Sequence, residues 1–210
     1  MIAMIDYDAG NMMSVEKSLR FLGQDVLVTG DRDEILKADK VILPGVGAFA
    51  HAMDKLRSTG LDKVIKEVAA KGTPFLGICL GQQLLFESSE EGKGVEGLGI
   101  LKGTVKRIPD KENCKVPHMG WNNLELTNNG KLFKGFDRPP YVYFVHSFYV
   151  EAEDENIVKA SAYYNTKIHA SVESGNIFAC QFHPEKSGLT GLKILQNFID
   201  LTREDCINVN

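Results

Sequence analysis

The chain has 210 residues, of which 43% are hydrophobic and 25% charged, and its formal net charge is -4. This length and composition are typical of a globular protein that buries one substantial core. The negative net charge, without a long basic tract, argues against nucleic acid or an anionic membrane as the main partner. No apolar stretch approaches the roughly 18 residues that span a membrane.

The cysteines Cys79, Cys114, Cys180 and Cys206 are scattered and form no C-x-x-C pair. A disulfide framework is therefore not expected, and a reducing cytoplasm fits this cysteine usage. Cys180 lies in an apolar run and is predicted to fill the core. Residues 1–8 lack the basic lead and long apolar run of a signal peptide, and they predict a first strand.

Up to residue 87, short apolar runs alternate with amphipathic segments. The apolar runs predict strands at 1–5, 25–29, 40–43 and 74–79. The amphipathic segments predict helices at 14–22, 31–38, 49–57, 61–71 and 82–87. For the first helix we expect Ser14 as the N-cap and Gly23 just after the end. This alternation predicts a parallel sheet with helices on both faces.

After about residue 92, the runs are rich in Val, Ile and Tyr and are separated by Gly, Asn, Asp and Pro. They predict antiparallel strands at 95–108, 124–126, 141–150, 157–163 and 168–172. A buried strand at 177–181 and an amphipathic helix at 191–201 follow. With no repeat or linker, we expect one domain over residues 1–210. Its fold class is α/β, an open, mostly parallel sheet with flanking helices and an antiparallel, β-rich portion in the second half.

The motif G-I-C-L-G at residues 77–81 follows an apolar run and precedes helix formers. The pattern G-x-nucleophile-x-G is typical of a strand that turns sharply into a helix and exposes its nucleophile, here Cys79. Glycines matter there because the turn is strained and leaves no space for side chains beside the nucleophile. On these five residues alone, a buried structural cysteine is an equally good interpretation.

The tripeptide H-P-E at residues 183–185 follows the predicted strand 177–181. His183 and Cys79 therefore both lie at the C-terminal ends of strands, where catalytic groups collect in open α/β sheets. His183 is a candidate base for the thiol, and Glu185 is a candidate to hold the imidazole in one tautomer. In isolation the tripeptide equally fits a loop histidine beside a surface glutamate, but the glycine–cysteine motif favours catalysis.

The segment P-G-V-G at residues 44–47 ends the third predicted strand. Its glycines allow a tight loop whose N–H groups, with that of Leu80, would hold the oxyanion of a tetrahedral intermediate. Val46 and Gly47 are therefore candidate oxyanion residues. A plain strand-to-helix turn explains the same residues when they are taken alone.

Two motifs together, G-I-C-L-G-Q-Q at 77–83 and F-H-P-E-K-S at 182–187, resemble those of the class I (triad) glutamine amidotransferases. Further segments resemble the family of glutaminase subunits of imidazole glycerol phosphate synthase, an enzyme of histidine biosynthesis. They are D-Y-D-A-G-N at 6–11, P-G-V-G-A-F at 44–49, P-H-M-G-W-N at 117–122 and Y-F-V-H-S at 143–147. The resemblance runs from Ile5 to the last predicted helix.

The resemblance implies that glutamine is hydrolysed to glutamate and ammonia through a cysteine thioester. Cys79 would be the nucleophile, His183 the base and Glu185 the orienting acid. The positions implied around the substrate glutamine are Gln83, Glu91, Ser147 and Phe148. No cofactor and no metal are expected.

The resemblance also implies a heterodimer with a (β/α)8-barrel cyclase subunit. The barrel would carry ammonia to its own active site and form imidazole glycerol phosphate and an aminoimidazole carboxamide ribotide. Residues matching positions that face this partner are Asn11, Met119, Trp121, Tyr143 and Lys186. His118 and His146 are interpreted as packing or interface residues rather than as metal ligands.

Three residues depart from the commoner family pattern. Asp8 replaces a glycine, Gln82 replaces a frequent methionine, and Phe148 stands where tyrosine is common. Two other functions stay open: an amidotransferase subunit that serves a different acceptor synthase, and a non-catalytic binding subunit. The intact triad residues argue against the second. A carboxylester hydrolase that uses the elbow cysteine is a more distant alternative.

Overall fold

The computed structural model describes residues 1–8, 12–112 and 115–207, so Asn11 and Cys114 lie outside the described residues. The N-terminal part alternates strands and helices, as the hydrophobic pattern predicts. Its elements are β1 (Ile2–Ile5), α1 (Met12–Phe21), β2 (Val26–Thr29), α2 (Arg32–Lys37), β3 (Lys40–Gly45), α3 (Phe49–Thr59), α4 (Leu61–Ala70), β4 (Phe75–Cys79) and α5 (Leu80–Leu84).

The second part consists mainly of strands and ends in two helices. Its strands are β5 (Ser88–Ser89), β6 (Gly103–Arg107), β7 (His118–Asn123), β8 (Glu125–Leu126), β9 (Tyr141–His146), β10 (Phe148–Ala152), β11 (Val158–Tyr164), β12 (Thr166–Ser174) and β13 (Ile177–Cys180). The helices are α6 (Gly188–Asp200) and α7 (Arg203–Ile207), and short 3-10 turns cover Lys131–Phe133, Glu155–Ile157 and Pro184–Lys186. Among the described residues, no helix is long and apolar enough to cross a membrane.

One eight-stranded sheet has the order β2-β1-β3-β4-β13-β12-β11-β8. The strands from β2 to β13 in this order are parallel, whereas β12, β11 and β8 pair antiparallel. β4 and β13 are neighbours, with Ile78 opposite Cys180. Because parallel neighbours end at the same edge, this pairing places the residues after Cys79 beside those after Cys180.

Two hydrophobic clusters cover the two faces of this sheet, because successive strand residues point to opposite sides. Ala3 and Ile5 pack in the cluster that includes α3 and α4, whereas Ile2 and Met4 pack in the cluster that includes α1 and α6. Cys180 is fully buried in the second cluster, as predicted. The predicted fold class, a mostly parallel α/β sheet with helices on both faces, is confirmed.

Two smaller sheets complete the fold. β5, β6 and β10 form one of them, and β7 pairs antiparallel with β9 in the other. The pair β7–β9 exposes Met119, Trp121 and Tyr141, which are 63%, 56% and 59% exposed. We call these two strands the β7–β9 ribbon.

Several local predictions were wrong. α1 begins at Met12, so Ser14 lies inside the helix and is not its N-cap. The predicted strand at 95–108 is a strand only at Gly103–Arg107, because residues 97–101 fold back on α5 through bonds such as Leu98 N–H to Leu84 O at 2.8 Å. This stretch is apolar because its side chains Leu98 and Leu101 pack in the hydrophobic core.

Further elements also differ from the prediction. The run 141–150 is divided at Ser147 into β9 and β10, which belong to different sheets. β7 was not predicted as an element, because its exposed and half-exposed residues hide the strand pattern. α7 was not predicted either. The helix expected to begin at residue 82 begins at Leu80, directly after the nucleophile candidate.

Gly81 allows α5 to pack closely on β3. A Cβ atom at Gly81 would lie 2.0 Å from the carbonyl oxygen of Leu43, which is backbone and cannot move aside easily. We therefore expect Gly81→Ala to lower the free energy of unfolding by about 3 kcal/mol, as for an overpacked core. Urea unfolding followed by circular dichroism measures this loss.

Gly72→Ala is the matched control. Gly72 has a φ of +71°, but an added Cβ meets nothing within 4 Å. Its cost should be the backbone strain alone, about 1 kcal/mol. Equal losses for the two variants would contradict the close packing of α5 on β3.

Candidate active site

Cys79 lies at a strained turn between β4 and α5. Its φ is 56° and its ψ is -110°, a conformation that L-residues rarely adopt, and α5 begins at the next residue. Gly77 and Gly81 flank it without side chains, and a Cβ on Gly77 would lie 2.8 Å from the Gly81 carbonyl oxygen. This strand–turn–helix geometry is that of a nucleophile elbow, with Cys79 at its tip.

A cavity of about 380 Å³ lies over Cys79. The structure brings the predicted oxyanion residues, the predicted glutamine-binding residues, Cys79 and His183 together around it, although they come from five separate segments. Its lining residues are Val46, Gly47, Cys79, Leu80, Gln83, Glu91, Val145, His146, Ser147, Phe148 and His183. A larger cavity of about 670 Å³ lies between residues 129–135 and 197–205, but no cysteine or histidine lines it.

His183 and Glu185 form a buried pair beside Cys79. Nδ1 of His183 lies 2.7 Å from Oε1 of Glu185, and the two side chains are 4% and 2% exposed. Within the described residues, Nε2 of His183 makes no hydrogen bond of normal geometry. Because the carboxylate accepts from Nδ1, Nε2 is the ring atom available for proton transfer in the cavity.

The environment of His183 keeps its imidazole protonated at neutral pH. Burial is the largest single influence and lowers the pKa, but hydrogen bonding and charge interactions with Cys79 and Glu185 outweigh it and raise the pKa to about 9. Since Nε2 lacks a bond of normal geometry, we attribute the effect of Cys79 mainly to its proximity. An imidazolium next to a sulfur favours the thiolate, which is the reactive form.

Main-chain bonds hold His183 against the β7–β9 ribbon. The His183 N–H donates to the carbonyl of Tyr143 at 2.9 Å, and the Tyr143 N–H donates to Oγ of Ser187 at 2.9 Å. Ser187 Oγ in turn donates to the His183 carbonyl at 2.7 Å. The strand that carries Tyr143, predicted to face the partner, therefore also fixes the backbone of His183.

The loop at residues 46–48, which carries Val46 and Gly47, is anchored at both ends. Before it, the Tyr7 hydroxyl donates to the Pro44 carbonyl at 3.0 Å. After it, the Phe49 N–H donates to Oε2 of Glu91 at 2.8 Å. Burial, the larger influence, and the charge of Cys79 raise the pKa of Tyr7, so its hydroxyl remains a donor.

Sequence reasoning assigned no role to Tyr7, although its motif was noticed. It also missed Gln181, whose Nε2 donates to Sγ of Cys79 at 3.6 Å. The available signal for Gln181 was a polar residue directly after the buried strand β13, at the sheet edge where Cys79 lies. Position at that edge is informative because ligands bind outside the carboxyl ends of strands.

A class-I glutamine amidotransferase family model matches residues 3–201. The imidazole glycerol phosphate synthase subunit HisH of Moorella thermoacetica is 51% identical over 96% of this chain and 95% of its own length. The HisH subunit of Caldanaerobacter subterraneus subsp. tengcongensis is 50% identical over 97% of this chain and 99% of its own length. The chain belongs to the HisH family of class-I glutamine amidotransferases.

Solved structures agree on the fold. A glutamine amidotransferase crystal structure aligns with a TM-score of 0.74 at 17% identity, covering 95% of this chain and 98% of the other. The structure of PurLQS from Thermotoga maritima aligns with a TM-score of 0.70 at 23% identity, covering 95% and 97%. At these identities the likeness concerns the fold alone.

Of the described residues predicted to face a partner, Met119, Trp121 and Lys186 are exposed and Tyr143 is half-buried. Met119 and Trp121 project from the β7–β9 ribbon, and the ring centroids of Trp121 and Tyr143 are 6.2 Å apart. Lys186 is exposed in the turn that follows His183. Asn11 lies outside the described residues, so its predicted role is not addressed by the structure.

His118 and His146 bond to each other across the β7–β9 ribbon, with Nδ1 of His118 lying 3.0 Å from Nε2 of His146. Nδ1 of His146 lies 2.8 Å from the Phe148 carbonyl, which only accepts, so this nitrogen carries the proton. Nε2 of His146 therefore accepts, and Nδ1 of His118 donates. Burial lowers the pKa of His118 to about 4 and is the main cause that lowers the pKa of His146 to about 3.

His146 should make the free energy of unfolding decrease at acidic pH. Its folded pKa of about 3 is below the ordinary 6.5, so its contribution is complete above pH 6.5 and is lost as pH falls toward 3. From His146 we expect a loss of about 2 kcal/mol between pH 6.5 and 5, at about 1.4 kcal/mol for each pKa unit, and His118, whose pKa is also lowered, adds to the total loss. Urea unfolding at both pH values measures it.

His146→Asn is the comparison variant. Asparagine cannot titrate, and its N–H lies near the position of Nδ1, so the bond to the Phe148 carbonyl persists. The variant should lose about 2 kcal/mol less than the parent between pH 6.5 and 5. An unchanged acid sensitivity would mean that burial does not lower the pKa of His146 below its value in the unfolded chain.

Proposed function

We propose that this chain is the glutaminase subunit of an imidazole glycerol phosphate synthase and acts in histidine biosynthesis. It hydrolyses glutamine to glutamate and ammonia, and a partner cyclase uses the ammonia. The observation that carries the proposal is the single cavity shared by Cys79 and His183, with Glu185 bonded behind the imidazole, in a chain of the HisH family. We also propose that residues 1–210 act as one glutamine amidotransferase domain.

The first half of the reaction forms a thioester. The Cys79 thiolate attacks the side-chain amide carbon of glutamine, and N–H groups of Val46, Gly47 and Leu80 stabilise the resulting oxyanion. The intermediate then collapses and breaks the carbon–nitrogen bond. His183 gives its Nε2 proton to the departing nitrogen, which leaves as ammonia.

The second half releases glutamate. Neutral His183 takes a proton from a water molecule, whose oxygen attacks the thioester carbon. The carbon–sulfur bond breaks, which regenerates the Cys79 thiolate and the imidazolium. Glu185 keeps a proton on Nδ1 of His183 throughout, because its carboxylate accepts the hydrogen bond from Nδ1 whether the ring is neutral or charged.

Acceptor groups in the cavity suit the ammonium end of glutamine. Glu91 supplies a carboxylate there. Both N–H groups of Gln83 are occupied, one by the Phe148 carbonyl at 3.0 Å and one by Oε1 of Gln181 at 2.9 Å. Gln83 therefore offers its oxygen to the substrate. Ser147 and Phe148 complete the proposed glutamine site.

The proposed partner is a (β/α)8 barrel that forms a heterodimer with this chain and docks on the β7–β9 ribbon. Exposed Met119 and Trp121 are the large apolar and aromatic residues that enrich interface cores. Ammonia becomes protonated in water and loses its nucleophilicity, so a sealed route to the barrel has a chemical purpose. Free thiols at Cys79, Cys180 and Cys206 suit action in the cytoplasm.

Cys79→Ala tests the nucleophile. We expect glutamine-dependent synthesis by the complex to fall at least about 10³-fold, because the covalent route is lost. Synthesis driven by added ammonium salt should stay within about twofold of the parent complex, since the partner's own site is unchanged. Coupled assays with glutamine and with ammonium measure both. Survival of glutamine-dependent turnover would exclude Cys79 as the nucleophile.

Trp121→Ala tests the docking surface. A central interface aromatic contributes about 2 kcal/mol or more to binding, so partner affinity should fall about 30-fold or more. Trp121 is 56% exposed, so the stability of the free chain should barely change. Calorimetric titration with the cognate barrel measures the affinity.

Phe21→Ala provides the control for Trp121. Phe21 is an aromatic residue that is 77% exposed at the end of α1 rather than on the ribbon. Its loss should leave the partner affinity within twofold of the parent. Equal affinity losses at Phe21 and Trp121 would argue against the ribbon as the docking site.

A further inference from the structure

Gln181 contacts the sulfur of the candidate nucleophile from behind the cavity. It directly follows β13, is fully buried, and donates from Nε2 to Sγ of Cys79 at 3.6 Å. Its Oε1 accepts from Nε2 of Gln83 at 2.9 Å. The residues that line the cavity include Cys79 and Gln83 but not Gln181. Gln181 is therefore placed to act on the sulfur without touching a bound substrate.

The orientation of the Gln181 amide follows from a fixed acceptor. The Phe148 carbonyl can only accept, so the Gln83 atom facing it at 3.0 Å must be the N–H₂ group. That group therefore also donates to Gln181, and the atom of Gln181 that faces it must be the oxygen. The N–H₂ group of Gln181 is left pointing at the sulfur, because the opposite assignment would set two donors against each other.

His146 also contacts the Phe148 carbonyl and so supports this orientation of the Gln83 and Gln181 amides. The Phe148 carbonyl has two lone pairs, and the second accepts from Nδ1 of His146 at 2.8 Å. Its acceptor capacity is thereby complete, and the carbonyl is held in place by two donors. The bonds from His146 through Phe148 and Gln83 to Gln181 run from a half-buried carbonyl to a buried amide pair, and each of these contacts is satisfied, as a rigid polar network requires.

We propose that Gln181 is a positioning residue, whose amide N–H₂ group holds the Cys79 sulfur in its attacking orientation and stabilises the thiolate. A thiolate accepts a hydrogen bond more strongly than a thiol does, so this donor favours the charged form. The inference rests on the proposed role of Cys79 as the nucleophile. It identifies Gln181 as the side chain that donates a hydrogen bond to the sulfur, which the strained backbone turn at Cys79 does not itself provide.

Other groups also act on the sulfur. His183 approaches from the cavity, backed by Glu185, and the charge of Cys79 is a lesser cause that raises the pKa of the Tyr7 phenol and of the Cys180 thiol. Tyr7 and Cys180 are held neutral by burial, which raises the pKa of each. Among the described residues, Gln181 is the side chain whose hydrogen bond to Sγ meets normal geometry. Removing its donor therefore changes one interaction of the sulfur and leaves His183 in place.

Gln181→Glu is the test variant, because it preserves size and keeps an oxygen to accept from Gln83 while it replaces the donor by a second oxygen. The probe is iodoacetamide, and mass spectrometry quantifies alkylation of the Cys79 peptide of the full chain from pH 5.5 to 9.5. We expect the midpoint of the pH profile of alkylation to rise by about one pH unit, the size of one charge-assisted hydrogen bond, and alkylation at pH 7 to slow by up to about tenfold. Gln181→Met, which removes the donor without adding charge, should show a smaller shift in the same direction.

Gln82→Met is the matched control. Gln82 is also fully buried and donates to a main-chain oxygen, that of His169, at 3.0 Å, but it makes no bond to the sulfur. Its alkylation profile should match that of the parent, whatever stability it loses. Profiles of Gln181→Glu and Gln181→Met that coincide with that of Gln82→Met would overturn the proposal. Should Gln181→Glu fail to fold, the comparison of Gln181→Met with Gln82→Met decides in the same way.

Kinetics of the complex with the barrel give a second readout. Gln181→Met should lower kcat for glutamine about tenfold or more, because the donor to the sulfur is lost. KM is compared for Gln181→Glu, which keeps the oxygen that accepts from Gln83 and should leave KM within twofold. A raised KM with unchanged kcat would show a binding role instead. Failure of the proposed function has a different signature, since glutamine turnover would then survive Cys79→Ala while the alkylation profiles remain interpretable.

Discussion

The site depends on one constraint, the parallel pairing of β4 with β13. Ile78 lies opposite Cys180, so the chain leaves both strands at the same sheet edge, with the elbow beside the segment that carries Gln181 and His183. The side chains that meet there are about a hundred residues apart in sequence. Without this register, the strained turn at Cys79 would lie away from His183 and Gln181. The other contacts of the site adjust groups that this pairing has already brought together.

Main-chain groups then fix the polar side chains. Carbonyl oxygens can only accept, so the carbonyl of Phe148 dictates the protonation of His146 and the amide orientation of Gln83. The Tyr143 backbone holds His183 and Ser187 in the same way. Because Tyr143 lies in β9, the strand that bears part of the exposed ribbon also supports His183, so the proposed docking surface and the proposed base share one structural element.

The sequence predicted regular elements well where burial is one-sided or complete. Strands β1 to β4 and helices α1 to α4 follow the apolar periodicity, with boundaries within two residues for most of them. It failed where other forces act. Residues 97–101 are apolar because they cover α5 rather than because they form a strand, and β7 has too many exposed residues to show a strand pattern. Ser14 is inside α1, because the helix begins earlier than the apolar pattern does.

By itself, the sequence determined the α/β class, the elbow around Cys79 and the candidate pair His183 and Glu185, because these depend on local spacing and residue chemistry. Only the tertiary structure decided that Gln181 faces the sulfur, that Tyr7 and Glu91 anchor the loop that carries Val46 and Gly47, and that His146 is a neutral donor. The physical reason is that hydrogen-bond partners distant in sequence leave no periodic pattern. Their identity follows from strand order and register, which are properties of the whole sheet.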